Sequence, residues 1–181
     1  MLKLSFLNLF FSIFLVPLMM QCEDGQGGPC DTYTRYASEE NLCELLPAKS
    51  NYSQGENVTF TFAVKSKLSV DGKQTDIFQE TKLDSGLLTI NLSELFKDNT
   101  VTFIKGQKID DGKFKAVYNA VTDSYELEIN VKLNRPGIYS FDSVAAFQDR
   151  DYNEESCIFI IVATNIKGSN PDDGRIKFTV I

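Results

Sequence analysis

From residue 57 onward, apolar and polar side chains alternate through most of the chain. Val58, Phe60, Phe62 and Val64 are separated by Thr59, Thr61 and Ala63. That period of two is how a strand reads when one of its faces lies in a core. Similar runs occupy Leu87–Leu92, Val101–Ile104, Phe114–Tyr118, Tyr125–Leu133, Ile138–Phe141, Cys157–Thr164 and Arg175–Ile181. Turn-forming residues divide them: Ser53-Gln54-Gly55, Asp71-Gly72, Lys105-Gly106, Asp111-Gly112, Arg135-Pro136-Gly137 and the stretch from Gly168 to Gly174. Short strands at this spacing with polar turns between them predict an antiparallel sandwich or barrel. Asp111-Gly112 predicts a tight hairpin, and the last two runs predict a closing one. Helical signal is scarce. Ser38–Leu46 (SEENLCELL) predicts a short helix capped by Ser38, with two acids in its first turn. Ser93–Phe96 predicts a single helical turn.

The first 21 residues break this pattern. Lys3 is their only charge, and an apolar run follows from Leu4 to Met20. A short positive start and an apolar stretch are the build of a secretory signal. As a spanning helix the run is short, and Pro17 interrupts it near its end. Residues 22–29 are acidic and glycine-rich, which predicts a flexible tether. Residues 30–181 then form one all-β domain.

Composition narrows the chemistry. The 181 residues carry 25 acids against 18 bases, a net charge of −7, and 14 Phe with no Trp. An acidic surface excludes nucleic acid as a primary partner. The absence of His removes Ser-His-Asp and Cys-His catalysis and every His-ligated metal. Four cysteines remain: Cys22, Cys30, Cys43 and Cys157. No C-x-x-C spacing occurs, which argues against structural zinc.

Leu18-Met19-Met20-Gln21-Cys22 resembles the lipobox of bacterial lipoproteins, although Gln21 stands where a small residue is usual. The acidic pair Glu23-Asp24 after it resembles the export signal of Bacteroidota surface lipoproteins. The resemblance implies lipidation at Cys22 and an outer-membrane or cell-surface location, with the membrane as a partner through the anchor. If Cys22 is acylated, the other three cysteines cannot all pair internally. Cys30–Cys43 closes a short loop and is the preferred pairing; Cys43–Cys157 is the alternative, pinning the N-terminal segment to a strand. Two motifs resemble bacterial immunoglobulin-like domains: Tyr52-Ser53-Gln54-Gly55-Glu56-Asn57-Val58 and Arg135-Pro136-Gly137-Ile138-Tyr139. The fold they imply is an antiparallel immunoglobulin-like β-sandwich with a short N-terminal helix or loop segment, in which Tyr139 packs at a corner. Asp142-Ser143-Val144 resembles the O-glycosylation triplet of the Bacteroidota.

Candidate sites are few. Asp149, Asp151, Asn153 and Glu155 recur at every second position. Oxygen ligands so spaced can converge on Ca²⁺ if the loop wraps, although Glu154 stands where an EF-hand needs Gly. Asp149 and Glu155 are also the first pair to consider for a paired-carboxylate glycoside hydrolase. Tyr33, Tyr36 and Tyr152 lie outside the strand runs and suit sugar or protein contact, because a tyrosine ring offers area and a hydroxyl at small entropic cost. The expected function is a non-catalytic, lipid-anchored binding or adhesion module for a glycan or protein. The alternatives are a calcium-stiffened structural component and, less favoured, the hydrolase.

Overall fold

The computed structural model describes residues 33–149 and 158–181. Its long central pair is β4 (Asn57–Lys65) and β11 (Ser124–Lys132), antiparallel from Ser124↔Lys65 to Lys132↔Asn57. The alternation read from sequence is the alternation in space. Val58, Phe60, Phe62 and Val64 meet Tyr125, Leu127, Ile129 and Val131 in the core. Around this pair lie β1 (Tyr33–Ser38), β2 (Cys43–Leu46), β7 (Ser85–Ile90), β10 (Lys113–Asn119), β13 (Val144–Gln148) and β14 (Ile158–Asn165). Their order is β1-β14-β13-β7-β10-β11-β4-β2. A second sheet, β12-β15-β3, consists of Gly137–Asp142, Arg175–Val180 and Asn51–Tyr52. β5 (Lys67–Val70) and β6 (Lys73–Asp76) form a hairpin that leads into α1 (Ile77–Thr81), and α2 (Ser93–Phe96) is the expected single turn.

The protein is all-β, but its sheets are mixed, not purely antiparallel. β1 runs parallel to β14, and β3 parallel to β15. The expected helix at Ser38–Leu46 is also absent: Ser38 closes β1, and Cys43–Leu46 is β2. A helix this short is marginal in water, whereas both ends of the segment find strand partners. Asn41, at φ 62, breaks the run, and Cys43 and Leu45 turn inward against β4. The consequence is closure. β1 and β2 stand at opposite ends of the strand order yet are joined by only Glu39–Leu42. Glu39 N donates to Ala163 O at 3.0 Å and Asn41 N to Asn165 Oδ1 at 2.8 Å. Cys43 then bridges to Ile166. One stretch of chain thus crosses from the β14 edge to the β4 edge and curls the sheet on itself, which protects both edges.

The closing hairpin is corrected as well. β14 belongs to the large sheet and β15 to the small one. Ser143 explains the switch. Its N and Oγ both donate to Gly174 O, at 3.0 and 2.8 Å, and its O accepts from Ile166 N at 2.9 Å. The chain therefore changes sheet between β12 and β13 at the same level as it does between β14 and β15. Ser143 is 3 % exposed. A buried hydroxyl held this way is not presented for glycosylation, so the Asp142-Ser143-Val144 triplet is a structural corner.

The Asp111-Gly112 hairpin forms as expected, joining β9 (Gln107–Asp110) to β10. With β8 (Thr100–Lys105), β9 fills a fork. β10 and β11 pair only over Val117–Asn119 before they diverge; β8 then pairs with β11 and β9 with β10. Gly106, at φ +77, joins the two halves, and a Cβ there would lie 2.2 Å from Lys115 O. Only glycine fits so close to a backbone oxygen in that conformation. Tyr139 packs at a corner: its hydroxyl donates to Arg135 O at 2.8 Å, and its ring stacks on Phe178 at 4.8 Å.

Candidate functional site

β1 carries Arg35 to the β5–β6 hairpin and α1. The hairpin turns at Asp71, whose backbone N donates to Tyr36 O at 3.0 Å, and Tyr36 N donates back to Asp71 Oδ1 at 3.3 Å. Asp76 ends β6 and caps α1 by accepting from Gln79 N at 3.0 Å. That cap sets Glu80 opposite Arg35. The guanidinium then holds three partners: Glu80 Oε2 at 2.9 Å, Thr75 Oγ1 at 2.7 Å, and Asp71 Oδ2 at 3.8 Å. The Arg35 side chain is only 15 % exposed, so its planar fork is fixed. Around it lies an open depression of about 600 Å³ that also includes Lys73 and Gln74. Tyr36, the next residue on β1, is 60 % exposed, but it is not among the residues around the depression, as expected for the neighbour of Arg35 on a strand.

Asp149 belongs to the same region. It is completely buried. Its Oδ1 accepts from Ile160 N at 2.8 Å, and its backbone N donates to Ile160 O. Oδ2 has no partner among the described residues. Burial pushes its pKa up to about 6; the negative charge of Glu80 adds to the rise and Arg35 opposes it. Because the folded state holds the proton more tightly than the unfolded chain, stability falls as pH rises through the interval from about 4 to 6. We therefore expect Asp149→Asn to raise the melting temperature at pH 7, by about 1–2 kcal/mol of stability, and to give no gain at pH 4. Thermal melts at the two pH values check this.

Glu126 is a contrasting case. Burial alone would raise its pKa, but hydrogen bonds from Lys105, Thr122, Asn119 and Ser124 overcome that and hold it at about 2. Lys105 Nζ lies 2.8 Å away and Asn119 Nδ2 3.1 Å. With its oxygens saturated, Glu126 ties β8 to the β10–β11 hairpin and has no lone pair left for a substrate.

Of the tyrosines singled out from sequence, Tyr36 is exposed on β1 outside the depression and Tyr33 begins β1; Tyr152 lies outside the described residues. Of the four candidate Ca²⁺ ligands, only Asp149 is described; Asp151, Asn153 and Glu155 lie outside, so the Asp149–Glu155 pair has no described geometry. Among the described residues no three metal-ligating side chains stand together. Cys43 is a free, buried thiol whose pKa burial raises to about 12. Its two candidate partners, Cys30 and Cys157, lie outside the described residues, as do Cys22, the 1–21 segment and the tether. Sequence reading missed Arg35, Thr75 and Glu80. The only local signal was Asp71-Gly72, a turn whose four-residue strands were too short to register.

No family model, curated protein or solved structure matches this chain.

Proposed function

We propose that this chain is a non-catalytic, lipid-anchored module of the bacterial outer membrane or cell surface, and that it binds a glycan at the Arg35 depression. In this reading Cys22 carries the acyl chains, residues 22–29 are the tether, and the β domain is an immunoglobulin-like sandwich with mixed pairing. The observation that carries it is a fixed polar cluster open to solvent. Arg35, Thr75, Glu80 and Asp71 hold one another in place, while Lys73 and Gln74, which line the same depression, are exposed. A sugar is oriented by hydrogen-bonding groups held in fixed positions. The same geometry favours binding over turnover. Asp71 and Glu80 are both engaged by the same Arg35 guanidinium, an arrangement that orders the cluster rather than opposing two acids across a substrate.

The test is a glycan array probed with the purified mature protein and its Lys73→Ala/Gln74→Ala variant. We expect saturable binding to at least one oligosaccharide class and a loss of about tenfold in the variant. Absence of glycan binding, or equal binding by the variant, contradicts the reading.

A second reading, a calcium-stiffened envelope component, is favoured by Asp149 Oδ2, which has no partner among the described residues. In that case EDTA lowers the melting temperature, and Asp149→Asn destabilises at pH 7 instead of stabilising. An unchanged melting temperature in EDTA removes the calcium.

A further inference from the structure

The Arg35 guanidinium is a ready seat for a carboxylate. Its planar fork matches two carboxylate oxygens, and its side chain is only 15 % exposed. In this fold the chain fills that seat itself. Glu80, brought over by the Asp76 cap of α1, places Oε2 2.9 Å from Nη1. Thr75 Oγ1 accepts from Nη2 at 2.7 Å, and Asp71 Oδ2 lies 3.8 Å from Nε. Every nitrogen of the guanidinium thus faces a partner from the β5–β6 hairpin or α1.

The charges around the depression also balance. Arg35 and Lys73 stand against Asp71 and Glu80. An anion arriving there gains no net attraction, and it reaches the guanidinium only by displacing Glu80 or Asp71. A cation meets Arg35 and Lys73. An uncharged ligand faces neither cost. A hydroxyl both donates and accepts, so two neighbouring hydroxyls can bridge a carboxylate and the guanidinium without breaking the ion pair. The carboxylates are open to such an approach, since the Asp71 and Glu80 side chains are 43 % and 38 % exposed. Glu80 turns Oε2 to Arg35, which leaves Oε1 to accept from a hydroxyl.

Resting on the glycan reading above, we infer that the ligand of this depression is an uncharged sugar with neighbouring hydroxyls. Glu80 sets that selectivity by holding the place that the carboxylate of an acidic sugar would take. Hydrogen bonds from an uncharged ligand to groups already paired with one another depend little on salt.

The test is a glycan array that carries neutral oligosaccharides and their uronate-, sialate- and amine-bearing counterparts. It is probed with the purified mature protein and its Glu80→Gln variant at about 50 and 500 mM salt. The unaltered protein should bind neutral glycans at least about tenfold more tightly than their charged counterparts. Its binding should change by less than about twofold between the two salt levels. Glu80→Gln keeps an acceptor for Arg35 but removes the charge, leaving two cations against one anion at the depression. The variant should therefore take uronate-bearing glycans at least about fivefold more tightly than the unaltered protein does, and that gain should fade at the higher salt. Melting curves confirm that the variant folds; if it does not, the preference of the unaltered protein decides. Charged glycans bound as well as neutral ones, or a Glu80→Gln variant that still refuses acidic glycans, overturns the selectivity and leaves the glycan reading standing. Absence of binding to any glycan overturns both.

Discussion

Asn99→Ala lowers folding stability by about 3 kcal/mol, read as a shift of the urea midpoint with an unchanged slope. Asn99 follows α2 and is the hub of the corner before β12. Its Oδ1 accepts from Asn134 N at 2.7 Å and Arg135 N at 3.1 Å. Its Nδ2 donates to Leu95 O at 2.8 Å and Tyr139 Oη at 2.9 Å. Alanine leaves two backbone donors and one backbone acceptor without partners in a half-buried place. That costs more than the mean value of a single hydrogen bond, since the penalty comes from the groups left behind. Tyr139→Phe is the control. It removes the hydroxyl that donates to Arg135 O and accepts from Asn99 Nδ2, but it keeps the ring on Phe178 and the bonds of Asn99 to Asn134, Arg135 and Leu95, so it should cost about 1–2 kcal/mol. A Tyr139→Phe loss as large as that of Asn99→Ala would show that the tyrosine, not the asparagine, organises the corner.

Gly86→Ala is expected to cost about 3 kcal/mol or more, through a different cause. Gly86 sits in β7, between β10 and β13. A Cβ there would lie 2.4 Å from two atoms of the Phe147 ring and 2.7 Å from Gln148 O. Phe147 is completely buried and packs against Phe62 at 5.6 Å and Tyr125 at 5.1 Å. The ring therefore has no room to retreat, and the Gln148 oxygen is held in the ladder. Phe147→Leu removes the part of the ring that clashes, at its own cost of about 1–3 kcal/mol. The double variant should be less destabilised than the sum of the singles by about 1–2 kcal/mol. Simple additivity would mean that the ring is not what the new methyl meets.

The sequence conveyed the strands well where one face is buried along a long run. β4, β10, β11 and β12 fall close to their expected limits, because alternation of Phe, Val, Ile and Leu with polar residues is a direct image of one-sided burial. It conveyed pairing poorly. Strand order and direction depend on contacts far apart in sequence, and nothing local to Tyr33–Ser38 says that it lies parallel to β14. The helix reading of Ser38–Leu46 went astray because its capping and acidic signals are local, while its strand partners are about 20 and 120 positions away. The last hairpin failed because Ser143, not a turn residue, sets where the chain changes sheet. The candidate site was legible only in part. Asp149 stood out as the first acid of a charged stretch, whereas Tyr36, an aromatic outside the strand runs, does not line the depression. Arg35, Thr75 and Glu80 are ordinary surface types in sequence; only the fold brings them within hydrogen-bonding reach.

A surface-displayed binding module requires that the chain be exported and held by its N-terminal cysteine. Intact-mass and peptide mass spectrometry of the protein from its native membrane fraction tests this most directly. The account predicts a mature chain lacking residues 1–21 that begins at Cys22 with acyl groups attached. An unacylated chain, or one that keeps its first 21 residues, contradicts it.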